Sequence, residues 1–240
     1  MSTVLLIRHG RTAANAGGLL AGWTPGVDLD ETGVAQAAAL GRRIADLALA
    51  AIVSSPLERC RQTAAAVLGT RTGQRVESED RLGECHYGDW TGKELKALAK
   101  DPLWRVVQAH PSGVTFPGGE SMRAMQDRAV DVVREVDARL GEDAVWVAVS
   151  HGDVIKAVLA DAMGLHLDQF QRLVVDPCSV TAIRYTQLRP FVLRVNDTGG
   201  DLAGLAPPPK RRGRRRPASS DAVVGGGAGN GSRPPAAASA

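Results

Sequence analysis

Two histidines of this 240-residue chain occupy the same local setting, between a short apolar run and a glycine. His9 follows the run Val4–Arg8 and precedes Gly10, and His151 lies just beyond the run Val145–Val149 and also precedes a glycine. A single histidine after a strand is more often a hydrogen-bonded structural residue than a functional one. Two strands that deliver the same pair of residue types favour a functional site at the carboxyl edge of one sheet.

Two arginines accompany these histidines. Arg8 directly precedes the first histidine, and Arg59 falls in the first turn of a predicted helix. Ser55 is the expected N-cap of that helix, with Pro56 in the first turn and Glu58 closing a capping box. A helix start favours an anion and disfavours a cation. Arg59 therefore either faces solvent beside a carboxylate or, as the nearby Arg8 favours, shares a bound anion with the helix start.

The chemistry that these arginines and histidines suit is the binding and transfer of a phosphoryl group. A planar guanidinium matches two phosphate oxygens, and phosphoryl transfer requires positioning and neutralisation of spread negative charge. The same cations would repel a divalent metal, and Asp153 has no convincing second set of ligands beside it. We therefore predict a site without metal or cofactor. An attacking imidazole must be unprotonated, so its other ring nitrogen should donate to a backbone carbonyl or a similar group.

Strand-like and helix-like segments alternate along the chain up to about residue 195. This alternation predicts an α/β fold with a largely parallel sheet, whose ligands bind beyond the carboxyl ends of the strands. The predicted strands are Val4–Arg8, Ala51–Ser54, Val145–Val149, Val180–Tyr185 and Phe191–Val195. The predicted helices are Thr32 to about Leu47, the one after Ser55, Met122–Leu140 and Val154–Met163.

Residues 205–240 differ in composition from the domain that we place at residues 1–204. They are rich in Pro, Gly, Ala and Ser and cannot bury enough apolar surface to offset the entropy of ordering, so we expect a disordered basic tail. Its run Lys210–Arg216 could contact nucleic acid or an acidic partner, although a solvated tail is favoured. The net charge of +3 thus combines a basic tail with a mildly acidic domain.

The short apolar stretches and the N-terminal residues predict a cytoplasmic protein. The apolar stretches are far shorter than the ~20 residues of a membrane span, and the N-terminal residues do not resemble a secretory signal. Three cysteines without metal-type spacing argue against a disulfide framework or a zinc site. We expect Cys60, Cys85 and Cys178 to be small apolar residues in or near the core.

Five segments, in this order, resemble the motifs of the histidine phosphatase superfamily, the phosphoglycerate mutase-like proteins. They are Leu6–Asn15, which contains Arg-His-Gly, then Ser54–Ala64, Arg81–Gly92, Phe116–Ser121 and Ser150–Gly152. The resemblance covers roughly residues 3–195. It implies a three-layer α/β/α sandwich around a mainly parallel sheet, and an enzyme that passes a phosphoryl group through a histidine.

The resemblance also implies a role for each site residue. The catalytic residues are His9, Glu84, Arg8, Arg59 and His151. The residues that bind the substrate phosphate are Arg8, Asn15, Arg59, His151 and Gly152. His9 is the nucleophile, and Glu84 protonates the leaving oxygen and later activates water. Glu84 must therefore begin protonated, which a nearby phosphate dianion favours.

The family contains both phosphatases and mutases, and the residues favour a phosphatase for small phosphorylated metabolites. The span from Glu84 to His151 is comparatively short, Asp153 stands where mutases tend to have asparagine, and Arg11 replaces a usual acidic or amide residue. His86 resembles the mutase pattern, but the following Asp-Trp-Thr-Gly resembles the phosphatase pattern.

Two alternatives remain open at this stage, a phosphomutase and a non-catalytic phospholigand sensor that uses the basic tail for an acidic partner. The intact set of nucleophile and acid argues against the sensor. Substrate choice would depend on the loop Gly17–Leu29 with Trp23 and on the segment Lys93–Thr115 with Trp104, which either cover the site or pack on the core.

Overall fold

The computed structural model describes residues 2–200 and 224–227. Its apolar runs form one six-stranded sheet in the order β3-β2-β4-β1-β5-β6. The strands are β1 Thr3–Arg8, β2 Ala51–Ser54, β3 Val76–Ser78, β4 Val145–Ser150, β5 Val180–Tyr185 and β6 Pro190–Asp197. Strands β1 to β4 pair with one another in parallel. Strand β5 is antiparallel to both of its neighbours, β1 and β6. The sheet is thus mixed, and four of its six strands are parallel, as the prediction of a largely parallel sheet requires. The edge strand β3 was not predicted.

Seven α-helices connect the strands in this part of the chain. They are α1 Ala13–Gly17, α2 Glu31–Arg43, α3 Glu58–Leu68, α4 Leu95–Leu98, α5 Pro102–Ala109, α6 Met122–Leu140 and α7 Gly152–Ala162. Side-chain caps define the starts of two long helices, because Asp30 accepts from Gly33 N and Ser121 accepts from Ala124 N. The predicted helices in these regions are confirmed, although α2 ends at Arg43, before the expected Leu47.

The predicted capping box at the start of α3 is wrong. The helix begins at Glu58, its N-cap is Leu57, and no side chain caps it. Ser55 instead places its Oγ 2.8 Å from Nε2 of His151. The residue type that favours an N-cap also suits a buried hydroxyl partner for an imidazole, and local sequence cannot separate these two uses.

Alternation along β1 shows that both faces of the sheet are covered. Val4 and Leu6 belong to one hydrophobic cluster, which includes buried residues of α6 and α7. Leu5 and Ile7 belong to a second cluster, which includes buried residues of α2 and α3. Successive side chains of a strand point to opposite faces, so the sheet lies between two helical layers. The predicted three-layer α/β/α sandwich is confirmed.

The register of β1 against β4 brings the two histidines together. Arg8 pairs with Ser150 at the carboxyl ends of the two strands, and His9 N donates to Ser150 O at 3.0 Å. Because the strands are parallel neighbours, His9 and His151 leave the sheet side by side at its carboxyl edge. This is the edge at which α/β sheets bind ligands.

The expected tail is described only over residues 224–227, and the basic run Lys210–Arg216 lies outside the described residues. For those four residues the structure differs from the expectation of disorder, because Val224 is buried in the larger hydrophobic cluster. Within residues 2–200 and 224–227, no helix combines the length and apolar character needed to cross a membrane.

Candidate active site

His9 is buried at the end of β1 with one ring nitrogen committed. Its Nδ1 lies 2.7 Å from the carbonyl oxygen of Gly10. A carbonyl can only accept, so Nδ1 carries the proton and the lone pair remains on Nε2. Burial, followed by the charges of Arg59 and Arg8, holds the pKa of His9 well below its ordinary value. The ring is therefore neutral near pH 7 and has the tautomer that a nucleophilic Nε2 requires.

His151 adopts the opposite arrangement beside it. The two imidazole centroids are 5.3 Å apart. Arg59 Nη2 lies 3.2 Å from Nδ1 of His151, and a guanidinium only donates, so this nitrogen must accept. Nε2 then carries the proton and donates to Ser55 Oγ. Burial, and then the charge of Arg59, lowers the pKa of His151 well below its ordinary value.

Both arginines of the site are buried and partly satisfied by backbone carbonyls. Arg8 donates from Nη1 to Val175 O at 2.8 Å and from Nη2 to Gly226 O at 3.1 Å. Arg59 donates from Nη2 to Gly22 O at 2.9 Å. Nε of Arg8 and Nη1 of Arg59 are buried without a hydrogen-bond partner in the described part of the chain. Two cationic groups thus retain free donors, which an anion could satisfy.

Glu84 completes the set from the loop between β3 and α4. Its Oε2 lies 3.8 Å from Nδ1 of His151, and its Oε1 accepts from Cys85 N at 3.0 Å. Burial, and then the charge of Asp153, raises the pKa of Glu84 to about 7, against the opposing effect of Arg59. At neutral pH a large fraction of this carboxyl is protonated, so it can act as an acid and, once ionised, as a base.

Sequence reasoning did not find the residues that hold the Glu84 loop. Arg128, on α6, donates to Gly83 O at 2.9 Å and to Glu84 O at 3.0 Å, and it pairs with Glu120. Trp23 Nε1 also donates to Glu84 O, at 2.6 Å. A buried carbonyl with two donors fixes the backbone of the acid. In the sequence, Arg128 is distinguished only by its position on one face of a helix. Many arginines that face solvent occupy similar positions, so this role could not be predicted.

The two segments expected to influence substrate choice differ in where they lie. Trp23 stacks on His86 with ring centroids 4.4 Å apart, beside the loop that carries the acid. Trp104 is buried and stacks on Trp90 at 6.1 Å, within the larger hydrophobic cluster. The loop around Trp23 therefore borders the site, whereas Trp104 packs in the core.

Two further predicted site residues have structural contacts of their own. Gly152 is the first residue of α7 and is buried beside Arg8, whose Nε would be 3.5 Å from a β-carbon at Gly152. Asn15 closes a capping box at the start of α1, where its Oδ1 accepts from Thr12 N and Oγ1. Its phosphate contact stays a prediction.

Asp153 lies in a buried polar network that the sequence did not reveal. Its Oδ2 accepts from Tyr87 OH at 3.0 Å, and Lys156 Nζ lies 3.7 Å from its Oδ1. Lys156 in turn donates to Gln171 at 3.1 Å. These contacts commit Asp153 to protein partners. Among residues 2–200 and 224–227, no three His, Cys, Asp or Glu side chains group as metal ligands.

The three cysteines are buried and free, as expected. Burial raises the pKa of Cys60 and of Cys178 to about 12, so both remain thiols at neutral pH. Cys60 Sγ lies 3.4 Å from Nε2 of His151, so this cysteine borders the site and is not only core packing. A thiol this strongly protonated is a poor nucleophile.

Comparison with known proteins assigns the family. A family model described as the histidine phosphatase superfamily (branch 1) matches residues 4–198. A glucosyl-3-phosphoglycerate phosphatase of Mycolicibacterium vanbaalenii is 36% identical over 70% of this chain and 76% of its own length. A protein of Erwinia tasmaniensis named "Probable phosphoglycerate mutase GpmB" is 30% identical over 85% of this chain and 95% of its own.

A solved structure agrees with these relatives. Bacillus stearothermophilus YhfR superposes with a TM-score of 0.76 at 31% identity and covers 82% of this chain and 98% of its own. The matched region contains β1, with its Arg-His-Gly end, and β4, with the second histidine. The chain belongs to the histidine phosphatase superfamily.

Proposed function

We propose that this enzyme hydrolyses small phosphate monoesters through a phosphohistidine formed on His9. The observation that supports this most strongly is the pairing of a free lone pair on His9 with unpartnered buried donors on Arg8 and Arg59. These groups would hold a phosphate dianion against the nucleophile. Glu84, with a pKa of about 7, lies on the side of His151 and can supply the proton.

The first step of the proposed reaction transfers the phosphoryl group to the enzyme. Nε2 of His9 attacks phosphorus as the bond from phosphorus to the ester oxygen breaks. The proton of Glu84 passes to that oxygen, and the alcohol leaves. The Gly10 carbonyl, which accepts from Nδ1, stabilises the positive charge that develops on the ring. The arginines neutralise the charge on the non-bridging oxygens.

The second step returns the enzyme to its starting state. Ionised Glu84 takes a proton from water as the water oxygen attacks phosphorus and the bond from phosphorus to Nε2 of His9 breaks. Inorganic phosphate leaves, and Glu84 is again protonated. A carboxyl whose pKa is near the working pH serves both steps, because neither protonation state is costly to reach.

The substrate class is small phosphorylated metabolites. Relatives are named for the hydrolysis of glucosyl-3-phosphoglycerate and of phosphoserine, and the unpartnered donors of Arg8 and Arg59 suit the phosphate that such compounds share. A cytoplasmic location fits such a substrate and stays a prediction. Contact of nucleic acid or an acidic partner with Lys210–Arg216 is outside the proposed activity.

Phosphomutase activity is the second candidate, because several relatives carry a mutase name and His86 resembles the mutase pattern. Turnover of an aryl phosphate in EDTA separates the candidates. Phosphate release without a primer supports the phosphatase, and activity that depends on an added bisphosphate supports the mutase. Binding of phosphate esters without any turnover would indicate the sensor and contradict both enzymes.

A further inference from the structure

The segment Val224–Gly227, here called the C-terminal strap, lies against residues of the candidate site. Val224 is only 2% exposed and joins the hydrophobic cluster that contains Leu20 and Tyr87. A β-carbon at Gly225 would be 2.8 Å from Leu20 Cδ1. The strap therefore lies in a fitted groove beside the loop that follows α1.

Two hydrogen bonds join the backbone of the strap to side chains of the site. Gly225 N donates to Asp153 Oδ2 at 2.8 Å, and Gly226 O accepts from Arg8 Nη2 at 3.1 Å. Asp153 is in the first turn of α7, and Arg8 is the last residue of β1. The strap thus bridges the two elements that present the histidines.

Glycine is required at both bonded positions of the strap. Gly225 has φ +74° and Gly226 has φ +72°, in the left-handed region that other residues rarely adopt. A β-carbon at Gly226 would lie 2.9 Å from Arg8 Cζ. The backbone of Gly226 consequently packs directly on the guanidinium, which a larger residue would push away.

The strap does not use the donors that an anion needs. With the strap in place, Nε of Arg8 and Nη1 of Arg59 still have no partner among the described residues, and Nε2 of His9 keeps its lone pair. Val175 O and Gly226 O hold the two terminal nitrogens of Arg8 between them. A buried side chain held at both ends loses little freedom when a ligand binds, which favours affinity.

We propose that the C-terminal strap positions Arg8 for the substrate phosphate and closes the candidate site, and that it swings away to admit substrate and release product. This inference rests on the proposed function. His9 is 2% exposed and Glu84 is 3% exposed, so some segment must move before an ester can reach them. The contacts described for the strap are two hydrogen bonds and one buried side chain, which leaves few interactions to break when it opens.

Two substitutions in the full-length protein test the strap. Gly226→Val would press on Arg8 and displace the strap, and Val224→Asp would place a charge in the apolar groove. We expect each variant to raise the inhibition constant of vanadate and the KM of an aryl phosphate by about tenfold to hundredfold, because misplacement of a positioning group by ~1 Å has effects of that size. The alkaline limb of kcat/KM should also move to lower pH, since burial is the main cause of the raised pKa of Glu84.

A chain that ends at Gly227 is the matched control, because it keeps the strap and lacks only residues 228–240; it should behave like the wild type. Tighter vanadate binding in the variants would show that the strap blocks the site, and unchanged constants would show that it plays no part. Either result overturns the inference. The proposed function still stands in that case, provided that the wild type hydrolyses the ester. Wild-type protein that neither binds vanadate nor hydrolyses the ester would overturn the function itself. Thermal unfolding confirms folding, and Gly226→Val decides the test if Val224→Asp does not fold.

Discussion

Nη2 of Arg59 lies 3.2 Å from Nδ1 of His151, so a cation on α3 sets the proton position on an imidazole beyond β4. After burial, which is the main cause, the charge of the same Arg59 lowers the pKa of both His151 and His9. Arg59 also donates to the Gly22 carbonyl. One side chain thus links the phosphate donors, the tautomers of both histidines and the loop that borders the site.

Arg59→Lys should reduce kcat/KM by about 10²- to 10³-fold, the usual cost of losing one preorganised donor to a transition-state oxygen. A lysine is a single flexible point charge and cannot serve Gly22, His151 and phosphate together. Steady-state kinetics with an aryl phosphate measure the loss. Arg61→Lys, an exposed position on the same helix, is the control and should retain wild-type activity. Equal activity of the two variants would contradict the role of Arg59.

The pH dependence of kcat/KM should report Glu84. The first step needs its protonated form, so kcat/KM should fall as pH rises through about 7. Asp153→Asn removes a negative charge that raises the pKa of Glu84, so this limb should move to lower pH. A profile of kcat/KM measured from about pH 6 to about pH 9 gives the midpoint of this fall. A limb that stays in place in Asp153→Asn would disprove the coupling.

Glu84 should also make the protein less stable in alkali. The ordinary pKa of a glutamate side chain is 4.5, whereas that of Glu84 in the folded chain is about 7, so folding favours the protonated acid. That stability is fully present below pH 4.5 and is lost as pH rises through about 7. At about pH 8, the free energy of unfolding of Glu84→Gln should therefore exceed that of the wild type by about 3 kcal/mol.

Urea unfolding at about pH 5 and pH 8 checks this difference, which should shrink at the lower pH. The exposed Glu142→Gln is the control and should follow the wild type at both values. A Glu84→Gln variant less stable than the wild type in alkali would contradict the raised pKa.

Gly33 supports the nucleophile loop from α2. A β-carbon there would overlap the carbonyl oxygen of Arg11, two residues after His9. Gly33→Ala should destabilise the protein by about 1–3 kcal/mol, the usual cost of overpacking, and should lower kcat because the loop must shift. Gly17→Ala is the matched control, since nothing lies within 4 Å of its β-carbon position. Denaturant unfolding and kcat distinguish the two, and an unaffected Gly33→Ala would refute the contact.

Physical reasons decide which parts of the fold and site the sequence could predict. His9 and His151 were predictable as neighbours because β1 and β4 are apolar runs that each end in the same residue pair. The mixed character of the sheet was not predictable, because the residue composition of β5 and β6 does not reveal whether these strands run parallel or antiparallel to their neighbours. The role of Glu84 depended on family resemblance, because a carboxylate in a loop has no periodic signal.

Long-range contacts account for what the sequence concealed. Ser55 resembled an N-cap, yet its partner is an imidazole 96 positions away. Asp153 and Tyr87 become partners only after folding, and neither position has a distinctive local pattern. Gly225 and Gly226 lie in a composition typical of disorder, and only their fit against Asp153 and Arg8 marks them as ordered.

Trapping of the covalent intermediate tests the central claim most directly. An aryl phosphate has a good leaving group, so Glu84→Gln should still pass the phosphoryl group to His9 but should lack the base for hydrolysis. Rapid quenching in alkali, followed by peptide mapping, should find a phosphoryl group on His9 that is stable in alkali and labile in acid. The adduct should be absent from His9→Ala. Release of the aryl alcohol with no phosphoryl group on His9, or with one on another residue, would contradict the account.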